Sequence, residues 1–71
     1  MERETLITAP PETTVNKAAE LMARRKVGAV MVVERQSLVG IFMERDLVFR
    51  VIARGYDAQT SRLADVMTTS R

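Results

Sequence analysis

The sequence has no cysteine and no histidine among its 71 residues. Disulfides and ordinary zinc sites are therefore excluded, and so are an imidazole base and a thiolate nucleophile. A serine nucleophile would lack its usual partner base, so we expect that the chain is not an enzyme. Without cysteine and histidine the chain also lacks the disulfides and zinc sites that stabilise many short chains. We therefore expect self-association, because a core of this size buries little surface.

Glycines are few, and long apolar runs are missing. The three glycines, Gly28, Gly40 and Gly55, are too far apart for a dinucleotide fingerprint or a phosphate loop. No run approaches the roughly 18 apolar residues that a membrane span requires. The N-terminal residues 1–4 are polar and mixed in charge, unlike a secretory leader. These features predict a single domain over residues 1–71, located in the cytoplasm and without a membrane partner.

The chain also has no strong excess of charge of one sign. Eleven basic and nine acidic residues give a net charge of +2, and both signs are spread evenly along the chain. Nucleic-acid binding would need a clustered basic stripe. The basic residues 24–26 instead lie where a helix is expected to end, and cations there are favoured by the helix dipole. We predict no nucleic-acid partner, although the pI of about 9.7 leaves that function class to be tested.

What the chain does contain is a composition typical of a folded domain, 46% hydrophobic and 28% charged. Residues 5–8 predict a short strand that ends before two prolines. The apolar runs 29–33 and 38–42, joined by the polar residues 34–37, predict an antiparallel hairpin. Gly40 inside the second run indicates a bulge or the close approach of another backbone or a ligand.

Two helices are predicted around this hairpin. The first follows an N-cap at Thr13 or Thr14, and its apolar face is Val15, Ala18, Ala19 and Met22. The second spans residues 44–54, and its apolar face is Leu47, Val48, Val51 and Ile52. Residues 62–65 favour a short helical turn, and residues 66–69 favour another extended piece. The fold class is therefore α+β.

Seven short strings occur in a fixed order along the chain: Thr14-Val15, Ala18-Ala19, Leu21-Met22, residues 27–33 (VGAVMVV), residues 38–42 (LVGIF), residues 44–47 (ERDL) and residues 65–68 (DVMT). No single string is specific, but their order and spacing together are. In that order and spacing the chain resembles a cystathionine-β-synthase-type (CBS) domain, and the resemblance covers roughly residues 5–68.

The resemblance implies a small, mainly antiparallel sheet of three strands covered by two helices. The implied order is strand-helix-strand-strand-helix. Residues 5–55 would form the core unit, and residues 56–71 would be a linker and the opening segment of a following repeat. A faint echo supports this division, because residues 6–8 (LIT) and 66–68 (VMT) share one pattern 60 residues apart.

The resemblance also implies a regulatory, non-catalytic module. CBS units pair sheet against sheet, so this chain would form a homodimer or a higher homo-oligomer. The cleft between paired units would bind AMP, ADP, ATP or S-adenosylmethionine, with no cofactor required. An effector domain or protein outside this chain would be the regulated partner. The sequence names neither the ligand nor what is regulated.

The family's ribose signature is a glycine, two apolar residues, serine or threonine, two residues and aspartate. Here residues 40–46 read GIFMERD, so Asp46 is present and Met43 replaces the hydroxyl. Met43 is the expected N-cap of the second helix and can neither cap it nor touch a phosphate, and losing such a cap costs about 0.5–2 kcal/mol. Asp46 could accept hydrogen bonds from ribose hydroxyls, worth roughly 1.5–3 kcal/mol. An acid at a helix N-terminus is, however, also stabilising without a ligand.

The remaining candidate contacts also follow from the resemblance. Arg45 would meet a phosphate, or would be an ordinary solvated helix residue. The base would lie against Thr8-Ala9 and Gly28-Ala29-Val30, where backbone groups could read an adenine edge and the Val30 side chain could form an apolar wall. Thr8 is equally explained as a turn residue, and Val30 as a core residue. The alternative to a ligand-binding module is a structural dimerisation module with a degenerate, non-binding site, and Met43 motivates it.

Overall fold

The computed structural model describes residues 7–69, which form a four-stranded sheet and three helices. The strands are β1 (Thr8–Ala9), β2 (Ala29–Glu34), β3 (Ser37–Met43) and β4 (Thr68–Thr69). The helices are α1 (Val15–Arg25), α2 (Glu44–Asp46) and α3 (Leu63–Val66), and α2 continues directly as a π-helical segment (Leu47–Ile52). No helix within residues 7–69 has the length and apolar character needed to cross a membrane.

The strand order in the sheet follows the chain, β1-β2-β3-β4. β1 pairs in parallel with β2, and the other two pairings are antiparallel. The predicted α+β fold and element order are confirmed, with one strand more than predicted, because Thr68–Thr69 returns to pair with β3. The predicted first strand began at residue 5. Residues 5 and 6 lie outside the described residues, and the observed strand is Thr8–Ala9.

Helix α1 begins as predicted after Thr14, whose Oγ1 accepts a hydrogen bond of 3.2 Å from the Lys17 N–H. A threonine at this position satisfies one of the free N–H groups of the first turn. Of the predicted apolar face, Val15, Ala18 and Met22 are buried, and Ala19 is half-buried. The helix ends at Arg25, within the expected residues 24–26, and the next residue, Lys26, adopts a left-handed conformation.

The predicted hairpin is present and turns over two residues, Arg35 and Gln36. Both have positive φ, 53° and 70°. Two consecutive left-handed residues match the right-handed twist of the flanking strands, but Asn-Gly is the usual choice for such a turn. The hairpin is therefore held by strand pairing and burial against an unfavourable turn sequence.

Gly40 lies where the prediction of a bulge or a close approach placed it, and both are observed. The β2–β3 register shifts between Val32 and Val33. A Cβ on Gly40 would come 2.5 Å from Met67 Sδ and 3.0 Å from the Thr68 carbonyl oxygen. Gly40 thus allows β4 to pack against β3.

The second helix differs from the prediction of a regular helix over residues 44–54. After Asp46 the chain is π-helical, with an i→i+5 bond of 2.9 Å from the Ala53 N–H to the Val48 carbonyl. Of the four residues predicted to form its apolar face, only Val51 is buried, and Val48 and Ile52 are 50% and 65% exposed. Leu47 is half-buried and packs against the core beside Val51. The predicted face was therefore right for Leu47 and Val51 and wrong for Val48 and Ile52, which lie one position further round the helix, beyond the side that the core covers.

The core lies between one face of the sheet and the helices, and it includes residues from the last third of the chain. Its fully buried members, with 2% exposure or less, are Val15, Ala18, Val30, Val32, Phe42, Val51, Leu63 and Val66. Residues 57–64 return along the start of α1, where the Ser61 and Ala58 carbonyls accept from the first two N–H groups of the helix. The segment interpreted as a linker and repeat opening therefore packs on the core unit and caps its first helix.

The opposite face of the sheet, called here the open sheet face, is largely apolar. Successive side chains of a strand point to opposite faces of the sheet. The buried residues of β2 and β3 and their register partners therefore point to the core, and the residues between them point to the open sheet face. Its β2 and β3 members are Ala29, Met31, Val33, Leu38, Ile41 and Met43, all half-buried or exposed. An apolar sheet face without a covering layer is typical of an interaction surface.

Candidate functional site

Asp46 is the only buried charged residue among the described residues, with 3% of its surface exposed. It is the third residue of α2, and its Oδ2 accepts a 2.9 Å hydrogen bond from the Met43 N–H. This contact is one half of a capping box, and Met43 supplies no side-chain cap in return. The predicted positions of Met43 as N-cap and of Asp46 as third helical residue are confirmed.

The Asp46 carboxylate has two further partners from its own chain. The Thr68 hydroxyl donates to Oδ1 at 3.2 Å and lies 3.5 Å from Oδ2. The Arg50 Nε lies 3.5 Å from Oδ1, one helical turn further along. A buried carboxylate is costly unless it is paired and hydrogen-bonded, and these partners offset that cost.

Arg50 also connects the helix to the last strand. Its Nη1 donates a 3.2 Å hydrogen bond to the Met67 carbonyl, immediately before Thr68. Two side chains therefore join Asp46 to β4, Thr68 directly and Arg50 by bridging to the neighbouring carbonyl. The site and the C-terminal segment form one hydrogen-bonded network.

A depression of about 320 Å³ opens beside this network. We call it the Asp46 depression, and its lining residues are Met43, Arg45, Asp46, Phe49, Arg50 and Thr68. Arg45 and Arg50 contribute two positive charges against one carboxylate, so the lining favours an anionic ligand. Phe49 is 65% exposed and presents an aromatic ring at the edge of the same depression.

The structure brings five of the eight predicted site residues close together. Met43, Arg45 and Asp46 line the Asp46 depression. Ala29 is the register partner of Met43. Gly28 is adjacent, because its carbonyl accepts a 3.0 Å hydrogen bond from the Glu44 N–H at the start of α2.

The other three predicted residues lie further away or are inaccessible. The Thr8 register partner is Met31, which pairs with Ile41, which pairs with Thr68. Thr8 and Thr68 are therefore at opposite edges of one sheet, three strand spacings or roughly 14 Å apart. The side chains of Ala9 and Val30 are buried in the core, so only their backbone atoms could meet a ligand.

Sequence reasoning did not identify Arg50, Phe49 or Thr68 as part of this site. The resemblance places Thr68 in the opening segment of a following repeat, and the sequence pattern places Arg50 only within the second helix. A signal did exist for Arg50, which is four residues after Asp46 and so on the same helical side. No local signal exists for Thr68, because its contact with Asp46 spans 22 residues.

A larger groove of about 510 Å³ lies between α1 and the π-helical segment. None of the predicted site residues lines it. Its walls are mainly apolar, and its charged lining residues are Lys26 and Glu44, both exposed. Because it lacks convergent buried polar groups, we do not consider it the functional site.

Comparison with known proteins agrees with this architecture. The family model for the CBS domain matches residues 1–53. The chain is 42% identical over 62 residues to the CBS domain-containing protein YhcV of Bacillus subtilis, which covers 87% of this chain and 44% of that protein. The chain thus spans less than half the length of this protein and of two other curated relatives that it matches.

Solved structures have the same fold. A hexameric CBS-CP12 protein from bloom-forming cyanobacteria superimposes with a TM-score of 0.84 and 32% identity, over 94% of this chain and 38% of that one. A CBS domain protein from Pyrobaculum aerophilum, complexed with AMP, superimposes with a TM-score of 0.79 over 94% of this chain and 52% of that one. The second is 20% identical, so it speaks for the fold alone. CBS domain proteins are commonly regulatory, and CBS domains typically pair with one another. On the family match, the sequence identity and the shared fold, the chain belongs to the CBS domain family.

Proposed function

We propose that this chain is a regulatory module that binds an adenosine-containing ligand in a cleft between two paired CBS units. AMP, ADP, ATP and S-adenosylmethionine are the candidate ligands, and no further cofactor is required. The chain would not itself be an enzyme. It would act on an effector domain or protein outside the 71 residues.

The observation that carries this proposal is the buried Asp46 carboxylate beside a depression with two arginines. A carboxylate accepts hydrogen bonds from vicinal ribose hydroxyls, and such charge-assisted bonds are the strong ones. Arg45 and Arg50 supply donors for phosphate oxygens at the same depression. One small site therefore offers complementary groups for both ends of a nucleotide.

The position of the site supports a composite cleft. Met43 belongs both to the open sheet face and to the lining of the Asp46 depression. A second copy that covered the open sheet face would therefore also wall the depression and remove ligand from water. The AMP-bound Pyrobaculum protein demonstrates that this fold accommodates such a nucleotide.

Titration calorimetry with AMP, ATP and S-adenosylmethionine tests the proposal. We expect binding by at least one of them, and Asp46→Ala should weaken it by about tenfold or more. Asp65→Ala is the matched control. Asp65 is likewise the third residue of a helix and accepts from the Arg62 N–H at 3.1 Å, but it lies outside the depression. Absence of heat with all three ligands at millimolar concentration would contradict the proposal.

A second function, a purely structural dimerisation module, is favoured by a different observation. Met43 replaces the expected hydroxyl, and the chain's own Thr68 and Arg50 already occupy Asp46. In this alternative the buried carboxylate serves helix capping and β4 docking alone. It predicts a dimer whose melting temperature is the same with and without nucleotide, whereas any ligand bound to the native state must raise it.

A further inference from the structure

Asp46 has little hydrogen-bonding capacity left for a ligand while its present contacts remain. Its exposed fraction is 3%, and both carboxylate oxygens are engaged, Oδ2 by the Met43 N–H and Oδ1 by Thr68 and Arg50. The Met43 contact belongs to the helix start and lies within four consecutive residues. The Thr68 contact is the one that a ribose hydroxyl could replace in kind, one hydroxyl donor for another.

The Thr68 side chain is also one of the few contacts that hold β4 in the sheet. β4 has two residues, and its pairing with β3 consists of Thr68 with Ile41 and Thr69 with Gly40. Beyond this pairing, it is attached through Thr68 to Asp46, through Arg50 to the Met67 carbonyl, and through Met67 packed at Gly40. A two-residue edge strand has little stability of its own, so the side-chain contacts decide whether it stays paired.

These two facts couple the site to the C-terminal segment. We propose that Asp46 exchanges partners, so that a ligand hydroxyl that binds the carboxylate displaces Thr68 and releases β4 from the sheet. Arg50 follows the same exchange, because it contacts both Asp46 and the Met67 carbonyl and can turn toward a ligand phosphate. Ligand binding thereby frees the C-terminal strand β4 from its pairing with β3. This inference rests on the proposed function and adds its means of regulation.

Hydrogen–deuterium exchange of the full chain, with and without saturating AMP, tests the coupling directly. Exchange at residues 67–69 should rise several-fold on binding, because the β3–β4 pairing is lost. Exchange in α1 serves as the internal reference and should not rise.

A second measurement uses Thr68→Val, which keeps the shape and strand preference of the side chain and removes the hydroxyl. The variant should bind AMP about tenfold more tightly than the original chain, because the ligand no longer competes with Thr68. Thr69→Val is the matched control. It makes the same change at the next position, where side chains point to the other side of the strand, and it should leave the affinity unchanged.

Both results are required, and each alternative outcome has a distinct meaning. If AMP binds and residues 67–69 stay equally or better protected, or if Thr68→Val does not bind more tightly, the coupling is wrong and the proposed function stands. If only Thr68→Val binds, the proposed function is wrong for the original chain, and so is the release of β4 by a ligand in that chain. If neither the original chain nor Thr68→Val binds AMP, ATP or S-adenosylmethionine, the proposed function fails, and the coupling fails with it.

Discussion

At the scale of single residues, Asp46 shows how one side chain can serve two purposes. An acid in the first turn of a helix is stabilising by itself, and the Asp46–Met43 contact is that local effect. Near-complete burial and the long-range partner Thr68 go beyond that local effect. They make the same carboxylate a structural tie to β4 and a candidate ligand group.

Gly40 gives a prediction at this scale. Gly40→Ala would place a methyl group 2.5 Å from Met67 Sδ and 3.0 Å from the Thr68 carbonyl, so β4 must move. We expect a loss of about 1–3 kcal/mol in unfolding free energy, together with faster amide exchange at residues 67–69. Urea denaturation and hydrogen exchange measure the two effects.

Gly28→Ala is the control for this substitution. A methyl group there would meet only Glu44, at 3.5 Å, which is an ordinary contact distance. Its unfolding free energy should change by less than about 0.5 kcal/mol. Equal destabilisation by both substitutions would mean that glycine's general backbone effect, and not the approach of β4, explains the result.

At the scale of elements, the regular helix and strands formed where the apolar pattern of the sequence predicted them, whereas the irregular helix after Asp46 departs from its predicted pattern. Helix α1 follows its apolar period, and the β2–β3 hairpin follows its two apolar runs. The segment after Asp46 is π-helical over Leu47–Ile52, and its Val48 and Ile52 side chains are exposed. π-Helical turns are rare and occur frequently at functional sites, and this one carries two residues of the Asp46 depression, Phe49 and Arg50.

The hairpin turn gives the prediction at this scale. Arg35→Asn combined with Gln36→Gly should raise the unfolding free energy by about 1–2 kcal/mol, because both positions have positive φ. For a chain of this size that corresponds to roughly 4–16 °C in Tm, measured by thermal denaturation at one fixed protein concentration. Ser37→Gly, immediately outside the turn in β3, should instead lower Tm. No gain from the turn variant would show that the two positive-φ residues are not strained.

At the scale of the whole molecule, residues 7–69 leave two of their own apolar areas uncovered. One is the open sheet face, and the other consists of Val48, Phe49 and Ile52 on the π-helical segment. A domain this small buries a limited fraction of its surface, so covering one of these areas would add substantially to its stability. The proposed pairing uses the open sheet face, because that arrangement also completes the cleft at Met43 and Asp46.

This pairing predicts that Ile41→Glu weakens self-association by at least about tenfold, since a carboxylate would be buried without a partner in the contact. Ile41 lies between Met31 and Thr68 in the register of the sheet. Sedimentation velocity over a range of protein concentrations measures the effect. Ile52→Glu makes the same change on the other area and should leave the dimer intact. Loss of the dimer only in Ile52→Glu would move the interface to the π-helical segment.

Much of the fold could be predicted because its signals are local. Thr14 as N-cap, the apolar side of α1 and the two hairpin strands each depend on residues within one or two turns of each other. The site was predictable only in part. Met43 and Asp46 were located by the family's ribose signature, which the resemblance supplies, whereas Thr68 is brought to Asp46 across 22 residues by a strand of two residues. No periodicity can be read from so short a strand.

The sequence alone therefore determined the family, the order of the elements and the carboxylate at the start of the second helix, since each is encoded in neighbouring residues. It also excluded disulfides and thiolate or imidazole chemistry, because the residue types are absent. Only the tertiary structure decided that the chain's own Thr68 occupies Asp46, and that residues 63–69 complete the sheet and the core. The physical reason is that these contacts join segments far apart in the chain, and their geometry exists only after the sheet has formed.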